Sequence, residues 1–248
     1  MIRVLLGFFS YGGIEPMVFD CLLRELTTST KRSVRFTYLR CSQDALVSRS
    51  RSWLASVFLE RTTCDVLFML DHDVEFTEGD VAETCLRAHK ERAVVAGMYA
   101  CRGRAEGHAS HLDGKVDPSA FRPGEDKLYR ARYVAGGFTA IPRAVVAGVM
   151  ERLGKPDTDP DLRVRRTVYE PHALWDFFRP FTTPTERGPV YLSEDWSFSA
   201  RAAAAGHRLL VWSKPRLLHH GDFPYAVADG VRARTAPELI EVPEVAPA

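Results

Sequence analysis

The sequence predicts an α/β fold in which a mostly parallel central sheet is flanked by helices. Three observations support this prediction. Segments with the residue patterns of strands and helices alternate over the first hundred residues. Residues 66–70 are continuously apolar, as is expected of a strand that is covered on both faces. The length of 248 residues suits one large domain or two small fused ones.

Each element of the first half has a local signature. Residues 33–39 alternate between apolar and polar side chains, as a strand does. Pro16 stands near the start of a helical pattern, where proline is tolerated. The predicted helices of this half are residues 15–30, 44–62 and 78–92, and its predicted strands are residues 2–9, 33–39, 64–70 and 93–100.

The second half is less regular. Residues 102–127 are polar and predict a long loop, and residues 154–190, with six prolines, predict an irregular excursion. A strand that ends in a Gly-Gly turn, a helix, and a helix followed by a strand are predicted at residues 127–141, 142–154 and 193–212. The segment 236–248 lacks periodicity, so we expect a disordered tail behind a domain of residues 1–235.

Composition limits the classes of function. The formal net charge of +1 gives no general attraction to nucleic acid or acidic lipid. No segment approaches the roughly 18 apolar residues of a membrane span, and the N-terminus has the pattern of a strand and lacks the features of a signal peptide. The five cysteines are scattered and never form a C-x-x-C pair, so we expect free thiols in a reducing cytoplasm.

Two carboxylates, Asp71 and Asp73, directly follow the apolar strand at residues 64–70. Residues i and i+2 of an extended chain point the same way, so both side chains can face one point at the carboxyl end of the strand. Ligands bind at that edge in open α/β sheets. Adjacent carboxylates repel unless a cation lies between them, and a divalent cation can in turn hold a diphosphate. An exposed acidic turn would explain the same residues without any metal.

Four stretches in this order, residues 46–76, 94–102, 133–146 and 191–223, resemble GT-A-type glycosyltransferases. These enzymes use nucleotide-sugar donors and carry a D-x-D motif. The resemblance extends over roughly residues 1–225, and its closest likeness is to small bacterial and phage members. It implies a GT-A, Rossmann-like single domain with metal-dependent activity.

The resemblance also implies the metal ligands. Asp73 is the expected direct ligand, and Asp71 is expected to bind the metal through water or to contact the ribose of the nucleotide. His219 matches the third ligand of the family, although the adjacent His220 is an alternative. An imidazole beside carboxylates favours Mn²⁺, with Mg²⁺ as the other possibility.

The donor nucleotide is expected to contact two further parts of the chain. The resemblance places Arg49 and Arg51 beside the nucleotide cleft, where guanidinium groups would pair with phosphate. Solvent-facing arginines on a surface helix would show the same spacing. At the end of the first strand, Ser10, Tyr11 and Gly12 are the candidates for contact with the base, with Tyr11 stacking on it. A structural turn explains them equally well.

The residues expected to contact the sugar and to catalyse the reaction lie in the second half of the chain. By resemblance, Gly136 and Gly137 border the sugar, where side chains would obstruct it. Asp195 is the first candidate for the catalytic carboxylate and Glu194 the second. In an inverting enzyme this group would take the proton of the acceptor hydroxyl, and in a retaining enzyme it would orient substrate. Capping of a helix N-terminus explains the same acidic pair.

The predicted function is transfer of a hexose from a nucleoside-diphosphate sugar to an acceptor. The acceptor is left open among a glycan, a protein, a small molecule and a modified nucleic acid. The alternatives are a nucleotidyltransferase acting on sugar phosphates and a non-catalytic nucleotide-sugar-binding protein. The first normally needs a basic, Gly-rich loop after strand one, and residues 8–16 contain no Lys or Arg. A metal-dependent phosphoesterase usually needs a denser cluster of His and Asp.

Overall fold

The structure, a computed structural model, describes residues 1–42, 44–101, 108–114, 121–169, 172–186, 188–221 and 225–226. The tail predicted at residues 236–248 lies outside these residues. Within them, no helix is both long and apolar enough to cross a membrane.

The helices predicted from local patterns are all present, with ends that differ by a few residues. They are α1 (Pro16–Thr28), α2 (Val47–Arg61), α3 (Asp80–Glu91), α4 (Arg143–Leu153) and α5 (Glu194–Ala204). The strands are β1 (Ile2–Ser10), β2 (Val34–Ser42), β3 (Val66–Asp71), β4 (Val74–Glu75), β5 (Val94–Gly97), β6 (His111–Leu112), β7 (Leu128–Tyr133), β8 (Phe138–Pro142), β9 (Arg166–Tyr169), β10 (His172–Trp175), β11 (Phe181–Thr183), β12 (Val190–Leu192), β13 (Leu209–Trp212), β14 (Leu218–His219) and β15 (Tyr225–Ala226).

The main sheet has the strand order β2-β1-β3-β8-β5-β13-β7-β6. β1 pairs in parallel with β2 and β3, and β5 pairs in parallel with β13. β8 runs antiparallel to both neighbours, and β7 runs antiparallel to β13 and β6. Among the described strands of this sheet, all but β7 and β8 therefore run in one direction. The predicted α/β class is confirmed.

One predicted strand, at residues 127–141, is in fact two. β7 and β8 lie apart in the sheet, and residues 134–137 cross between them. The four backbone N–H groups of this crossing donate to side-chain oxygens instead of a neighbouring strand: those of Ser199, Ser110, Asp195 and Tyr99, in order along the chain. Buried N–H groups must find such partners, so the crossing is tied to α5 and to the residues that follow β5.

Helices cover both faces of the main sheet. α2, α4 and α5 pack on one face, where Leu54, Val146 and Phe198 are buried in the core. α1 and α3 pack on the other, through Val18 and Val81. Full burial of an aliphatic or aromatic side chain contributes about 1.5–3 kcal/mol. Because β1, β3, β5 and β13 lie between these two layers, they are apolar on both sides.

The excursion at residues 154–190 is more ordered than predicted, since it contains the antiparallel hairpins β9–β10 and β11–β12. Two buried serines of α2 hold it: Ser56 Oγ accepts the Trp175 N–H at 2.8 Å and Ser52 Oγ accepts the Phe178 N–H at 3.0 Å. The fully buried Arg201 of α5 donates to the carbonyls of Asp161, Leu162, Phe177 and Arg179. The excursion is therefore fastened to two helices.

A small second sheet completes the region above the carboxyl end of β3. β14 pairs with β4 and β15, so that His219 lies opposite Val74. Phe9, near the end of β1, lies opposite Asp71 at the end of β3. β14 is thereby brought to the same edge of the main sheet as the carboxyl ends of β1 and β3.

Candidate active site

A cleft of ≈ 320 Å³ opens at the carboxyl ends of β1 and β3. This is the edge at which ligands bind in open α/β sheets. Several of the predicted site residues line it, namely Ser10, Tyr11, Arg51, Asp71, Asp73 and Glu194. The first turn of α2 forms the wall that faces β3.

Asp71 is held by the buried guanidinium of Arg51. Arg51 Nη2 donates to both carboxylate oxygens of Asp71 at 2.9 Å, and Nη1 donates to the Gly136 carbonyl at 2.7 Å. Only 3% of the Arg51 side chain is exposed. Burial by itself lowers the pKa of Arg51, but the carboxylates of Asp71 and Glu194 outweigh it, so the pKa lies above its ordinary value. Arg51 is therefore a fixed positive charge that orients Asp71.

Asp73 lies beside His219, on the other side of the cleft floor. Nε2 of His219 is 3.7 Å from Asp73 Oδ2, and both side chains are largely buried. His219 Nδ1 lies 2.8 Å from the Ala100 carbonyl, which can only accept, so Nδ1 carries the proton. In the neutral imidazole, Nε2 then presents a lone pair on the side of Asp73.

His220 is directed elsewhere. Its Nε2 lies 2.6 Å from Glu75 Oε2, and its Nδ1 lies 3.8 Å from Glu15 Oε1. Of the two adjacent histidines, the structure brings His219 to Asp73 and gives His220 a separate carboxylate partner. His219 is the last residue of β14, and His220 lies just beyond it.

The donor set fits a divalent cation in part. Throughout the described ranges, no group of three His, Cys, Asp or Glu side chains is placed to hold a metal ion alone. Asp73 and His219 supply one oxygen and one imidazole nitrogen, which Mn²⁺ accepts. Mg²⁺ and related ions are commonly held by one or two protein ligands together with substrate phosphates and water. The pair therefore fits a cation that the donor helps to bind.

Arg49 and Arg51 do not share a site. The Arg49 Nε donates to Asp44 Oδ2 at 2.9 Å, and its Nη2 also contacts the Asp44 carboxylate. Arg49 lines a side recess of ≈ 220 Å³, which shares Asp44 and Ser50 with the cleft. Two residues apart on a helix are separated by about 200°, which explains the divergence. Both guanidinium groups contact carboxylates, and their contact with phosphate stays a prediction.

Burial makes the thiol of Cys41 unreactive. Cys41 lines the same side recess, and burial raises the pKa of its thiol to about 12. A thiol with such a pKa stays protonated at neutral pH and is a poor nucleophile. Its place near the cleft gives no support to thiol catalysis.

The two glycines of the crossing are required for close approach. A Cβ on Gly136 would lie 2.7 Å from Arg51 Cζ, and a Cβ on Gly137 would lie 2.6 Å from the Tyr99 hydroxyl oxygen and 2.8 Å from Asp71 Oδ2. These separations are shorter than normal carbon contacts. The glycines therefore let Arg51, Asp71 and Tyr99 converge.

Tyr99 belongs to this cluster and was missed from the sequence. Its hydroxyl oxygen accepts the Gly137 N–H at 2.9 Å, and its ring packs edge-on against His219, with 5.1 Å between centroids. Burial raises the pKa of Tyr99, and the nearby Asp71 carboxylate adds to the effect. The only signal in the sequence is its place just after a buried strand, which equally suits a core aromatic residue.

The two acidic residues at the start of α5, Glu194 and Asp195, have different contacts. Glu194 lines the cleft, with its Oε1 3.6 Å from Arg51 Nε. Burial raises the pKa of Glu194, with Asp195 and Asp71 adding to the effect and Arg51 opposing it. Asp195 instead accepts the Trp196 N–H at 2.8 Å and the Gly136 N–H at 3.3 Å, and also contacts the Ser193 hydroxyl. The geometry thus favours Glu194 as the carboxylate that faces a ligand.

The end of β1 forms the outer wall of the cleft. Tyr11 is 66% exposed there, with its ring available to a ligand. Ser10 Oγ lies 3.1 Å from the carbonyls of both Gly12 and Gly13 and closes this turn. A Cβ on Gly12 would meet nothing within 4 Å, so the fold does not require glycine at that position.

The charge of the cleft is strongly negative. Its lining contains Asp44, Asp71, Asp73 and Glu194. Arg51 is the one guanidinium among the described lining residues, and it already pairs with Asp71 and approaches Glu194. An anionic ligand entering here meets net repulsion unless a cation accompanies it.

Comparison with known proteins gives matches at the level of structure. No family model matches the chain, and no curated protein matches its sequence. A197 from STIV matches with a TM-score of 0.55 and 18% identity, over 98% of this chain and 99% of that one. GalNAc-T7, solved with UDP, GalNAc and Mn²⁺, matches with a TM-score of 0.51 and 13% identity, over 88% of this chain and 43% of that one. An apo UDP-glucose pyrophosphorylase gives a TM-score of 0.47 at 11% identity, over 88% of this chain and 93% of that one.

The likenesses to A197 and GalNAc-T7 establish the fold. The chain has a large mixed sheet flanked by helices, as do the GT-A-type glycosyltransferases among the matched structures. It spans less than half the length of GalNAc-T7. The GT-A-type fold predicted from the four stretches is therefore confirmed, and the roles of individual residues stay predictions.

Proposed function

We propose that this protein is a metal-dependent glycosyltransferase that uses a nucleoside-diphosphate sugar as donor. The observation that carries the proposal is the Asp73–His219 pair, in which Asp73 lines an acidic cleft at the carboxyl edge of the sheet. A diphosphate cannot enter this cleft favourably without a cation, and the pair offers the ligands that such a cation takes. GalNAc-T7, which shares the fold, was solved with UDP, GalNAc and Mn²⁺.

Different residues would bind the cation and the nucleotide of the donor. Asp73 and His219 would hold Mn²⁺ or Mg²⁺, which when bound offsets the negative charge that develops on the departing diphosphate. Asp71, oriented by Arg51, would bind a water of the cation or the ribose. Tyr11 offers an exposed ring on which the base can stack.

Glu194 is our candidate for the catalytic carboxylate. It faces the cleft, and burial raises its pKa above the ordinary value of a glutamate, which makes the carboxylate a stronger proton acceptor. In an inverting reaction it would accept the proton of the acceptor hydroxyl as the oxygen attacks the anomeric carbon. Asp195 would support it by holding the Gly136 N–H and the start of α5.

A thermal-shift experiment tests the donor site. The wild type and Asp73→Ala are screened with nucleoside-diphosphate sugars, each with and without Mn²⁺. A donor present at about 100 times its Kd adds about 2.7 kcal/mol of stability, which is roughly 5–10 °C in Tm for a chain of this length. We expect this rise in the wild type only with Mn²⁺, and its loss in Asp73→Ala.

Asp20→Ala is the matched control, because Asp20 is an exposed carboxylate on α1 outside the cleft. It should keep the full Mn²⁺-dependent rise. A rise of equal size in Asp73→Ala would contradict the proposal. Release of pyrophosphate from a nucleoside triphosphate and a sugar phosphate would indicate the nucleotidyltransferase instead.

A further inference from the structure

Tyr99 connects the Asp73–His219 pair to the crossing at residues 134–137. It follows β5 by two residues, and only 5% of it is exposed. One end of the side chain, the hydroxyl oxygen, accepts the Gly137 N–H at 2.9 Å. The ring packs edge-on against the imidazole of His219, with 5.1 Å between centroids and 76° between planes. A single rigid side chain therefore contacts both parts of the candidate site.

The imidazole of His219 is oriented by two consecutive residues. Its Nδ1 donates to the Ala100 carbonyl at 2.8 Å, and its ring meets the ring of Tyr99 in a T-shaped pair, a geometry that aromatic groups favour. These contacts leave Nε2 on the side of Asp73, at 3.7 Å from its Oδ2. Residues that orient a histidine ligand commonly change metal affinity when they are replaced.

The hydroxyl of Tyr99 holds the peptide group between Gly136 and Gly137. The N–H of this peptide donates to the hydroxyl oxygen, and its carbonyl, that of Gly136, accepts Arg51 Nη1 at 2.7 Å. The carbonyl of Gly137 accepts the Asp71 N–H at 3.0 Å. A shift of this peptide would therefore move both Arg51 and Asp71, which form the buried ion pair of the cleft.

A tyrosine that only fills the core would explain the hydroxyl contact by itself. A buried phenol hydroxyl needs a hydrogen-bond partner, and a backbone N–H supplies one. That explanation gives no reason for the second contact, with a histidine whose free nitrogen faces Asp73. The fit is also close, since a Cβ on Gly137 would lie 2.6 Å from the hydroxyl oxygen. The two contacts together point to a role in the site.

We infer that Tyr99 is a positioning residue of the donor site, and that its ring and its hydroxyl have separate effects. The ring holds the imidazole of His219 toward the cation. The hydroxyl holds Gly137 and, through it, the Asp71 carboxylate that would contact the donor. This inference rests on the proposed function, since it takes Asp73 and His219 as the cation ligands.

Two variants separate the ring from the hydroxyl. Tyr99→Phe keeps the ring against His219 and removes only the acceptor of the Gly137 N–H, whereas Tyr99→Leu removes both contacts. Water-proton relaxation, which responds to protein-bound Mn²⁺, measures the affinity for Mn²⁺ alone and then with UDP, GDP or ADP added. We expect Tyr99→Leu to bind Mn²⁺ at least about tenfold more weakly than the wild type.

Tyr99→Phe should show a split between the two affinities. We expect its Mn²⁺ affinity to stay within about twofold of the wild type, and its affinity for the nucleoside diphosphate to fall about three- to tenfold, as the loss of one neutral hydrogen bond implies. A general loss of stability would not produce this split. The split also tests the inference if Tyr99→Leu fails to fold.

Tyr129→Phe and Tyr129→Leu are the matched controls. Tyr129 is a tyrosine of β7 that is only 4% exposed and is not among the described residues that line the cleft. Both variants should bind Mn²⁺ and nucleotide like the wild type. Equal losses in the Tyr129 and Tyr99 variants would reflect stability alone and would overturn the inference.

Asp73→Ala distinguishes failure of the inference from failure of the proposed function. Where this variant loses Mn²⁺ binding, the proposed cation site stands. Wild-type Mn²⁺ affinity in Tyr99→Leu, a large loss of it in Tyr99→Phe, or wild-type nucleotide affinity in Tyr99→Phe would then overturn the inference alone. Where the wild type binds no Mn²⁺, or Asp73→Ala binds it equally well, the proposed function fails and the inference fails with it.

Discussion

Arg51 is the side chain around which the candidate site is arranged. It contacts Asp71, the Gly136 carbonyl and Glu194, which come from β3, the crossing and α5. Removing one partner of a buried ion pair commonly costs 3–5 kcal/mol, because the remaining charge is left unpaired. Asp71 and Glu194, which come from distant parts of the chain, are thus coupled through a single guanidinium.

The two acidic residues at the start of α5 should respond differently to loss of charge. Glu194→Gln removes the carboxylate that faces the cleft, so we expect transfer to fall by about 10²–10⁴-fold, the usual contribution of a general base. Donor binding should change little, because Glu194 is not expected to hold the metal. Steady-state kinetics and the donor thermal shift are measured side by side.

Asp195→Asn is the companion variant. Its carboxylate accepts backbone N–H groups, and an asparagine keeps one of the acceptor oxygens. We expect a smaller loss of transfer than in Glu194→Gln. The opposite ranking, with Glu194→Gln near wild-type turnover and Asp195→Asn inactive, would restore the assignment made from the sequence.

For single residues, the sequence predicts which residue types lie at the site better than it predicts which groups they contact. Asp71, Asp73 and His219 lie at one edge of the sheet, because Asp71 ends β3, Asp73 follows it, and His219 ends β14, which pairs with β4. The separation of Arg49 from Arg51 was predictable from helical geometry. Tyr99 was not, since a buried aromatic residue after a strand carries no local mark of its contact with Gly137 and His219.

The start of α3 is the element with the most unusual electrostatics. Glu25, fully buried on α1, accepts the Ala82 N–H at 2.8 Å and also the Gly79 N–H, and so caps this helix from a neighbour. Asp80, the first residue of α3, accepts the Thr77 N–H at 2.9 Å. Burial raises the pKa of Asp80 to about 6. Its charged form is therefore disfavoured in the folded state.

Asp80→Asn should make stability less dependent on pH. An unfolded aspartate has a pKa of about 3.9, so between roughly pH 4 and 6 the folded protein holds a proton that the unfolded chain has lost. The Asp80 contribution to stability therefore falls as pH rises through this window. We expect Asp80→Asn to match the wild type near pH 4 and to exceed it by about 1–2 kcal/mol at pH 7.

Urea unfolding of both proteins at several pH values between 4 and 7 measures this difference. Asparagine keeps an oxygen for the Thr77 N–H, so the cap itself is preserved. A difference between the two proteins that stays constant with pH would contradict the expectation, since it would reflect packing and not a proton.

Some helices and strands have a local sequence pattern that predicts them, and others do not. The five helices and the apolar strands were predicted because their periodicity covers many residues. The hairpins β9–β10 and β11–β12 were not, because strands of three or four residues between prolines have too few positions to show a period. The two hairpins are held in place by hydrogen bonds with Ser52, Ser56 and Arg201, which are distant in sequence.

For the whole molecule, β8 is the strand that unites the sheet. It lies between β3 and β5 and runs against both. Phe138 at its start is fully buried and packs edge-on against Phe68, with 4.9 Å between ring centroids. No local pattern predicts this placement, because β3, β8 and β5 are far apart along the chain. The sequence pattern alone assigns β8 to the same segment as β7.

Phe138→Ala should destabilise the protein globally. Truncation of a buried phenylalanine usually costs about 3–5 kcal/mol, and here the cavity opens between the two halves of the sheet. Denaturant unfolding followed by tryptophan fluorescence should give one transition at a lower midpoint. Phe19→Ala is the matched control, since Phe19 is 50% exposed on α1 and should cost under about 0.5 kcal/mol. Two separate transitions in Phe138→Ala would show that the halves fold independently.

Because β8 lies far from β3 along the chain, β3 lacks one of its two neighbouring strands during part of synthesis. When β3 leaves the ribosome, β1 is already available on one of its edges, but the strand that covers the other edge begins at Phe138. At typical elongation rates of about 5–20 residues per second, roughly 3–13 seconds pass before β8 is made. During that interval the nascent chain presents an apolar strand with an open edge, the kind of surface that chaperones bind and that other chains can pair with.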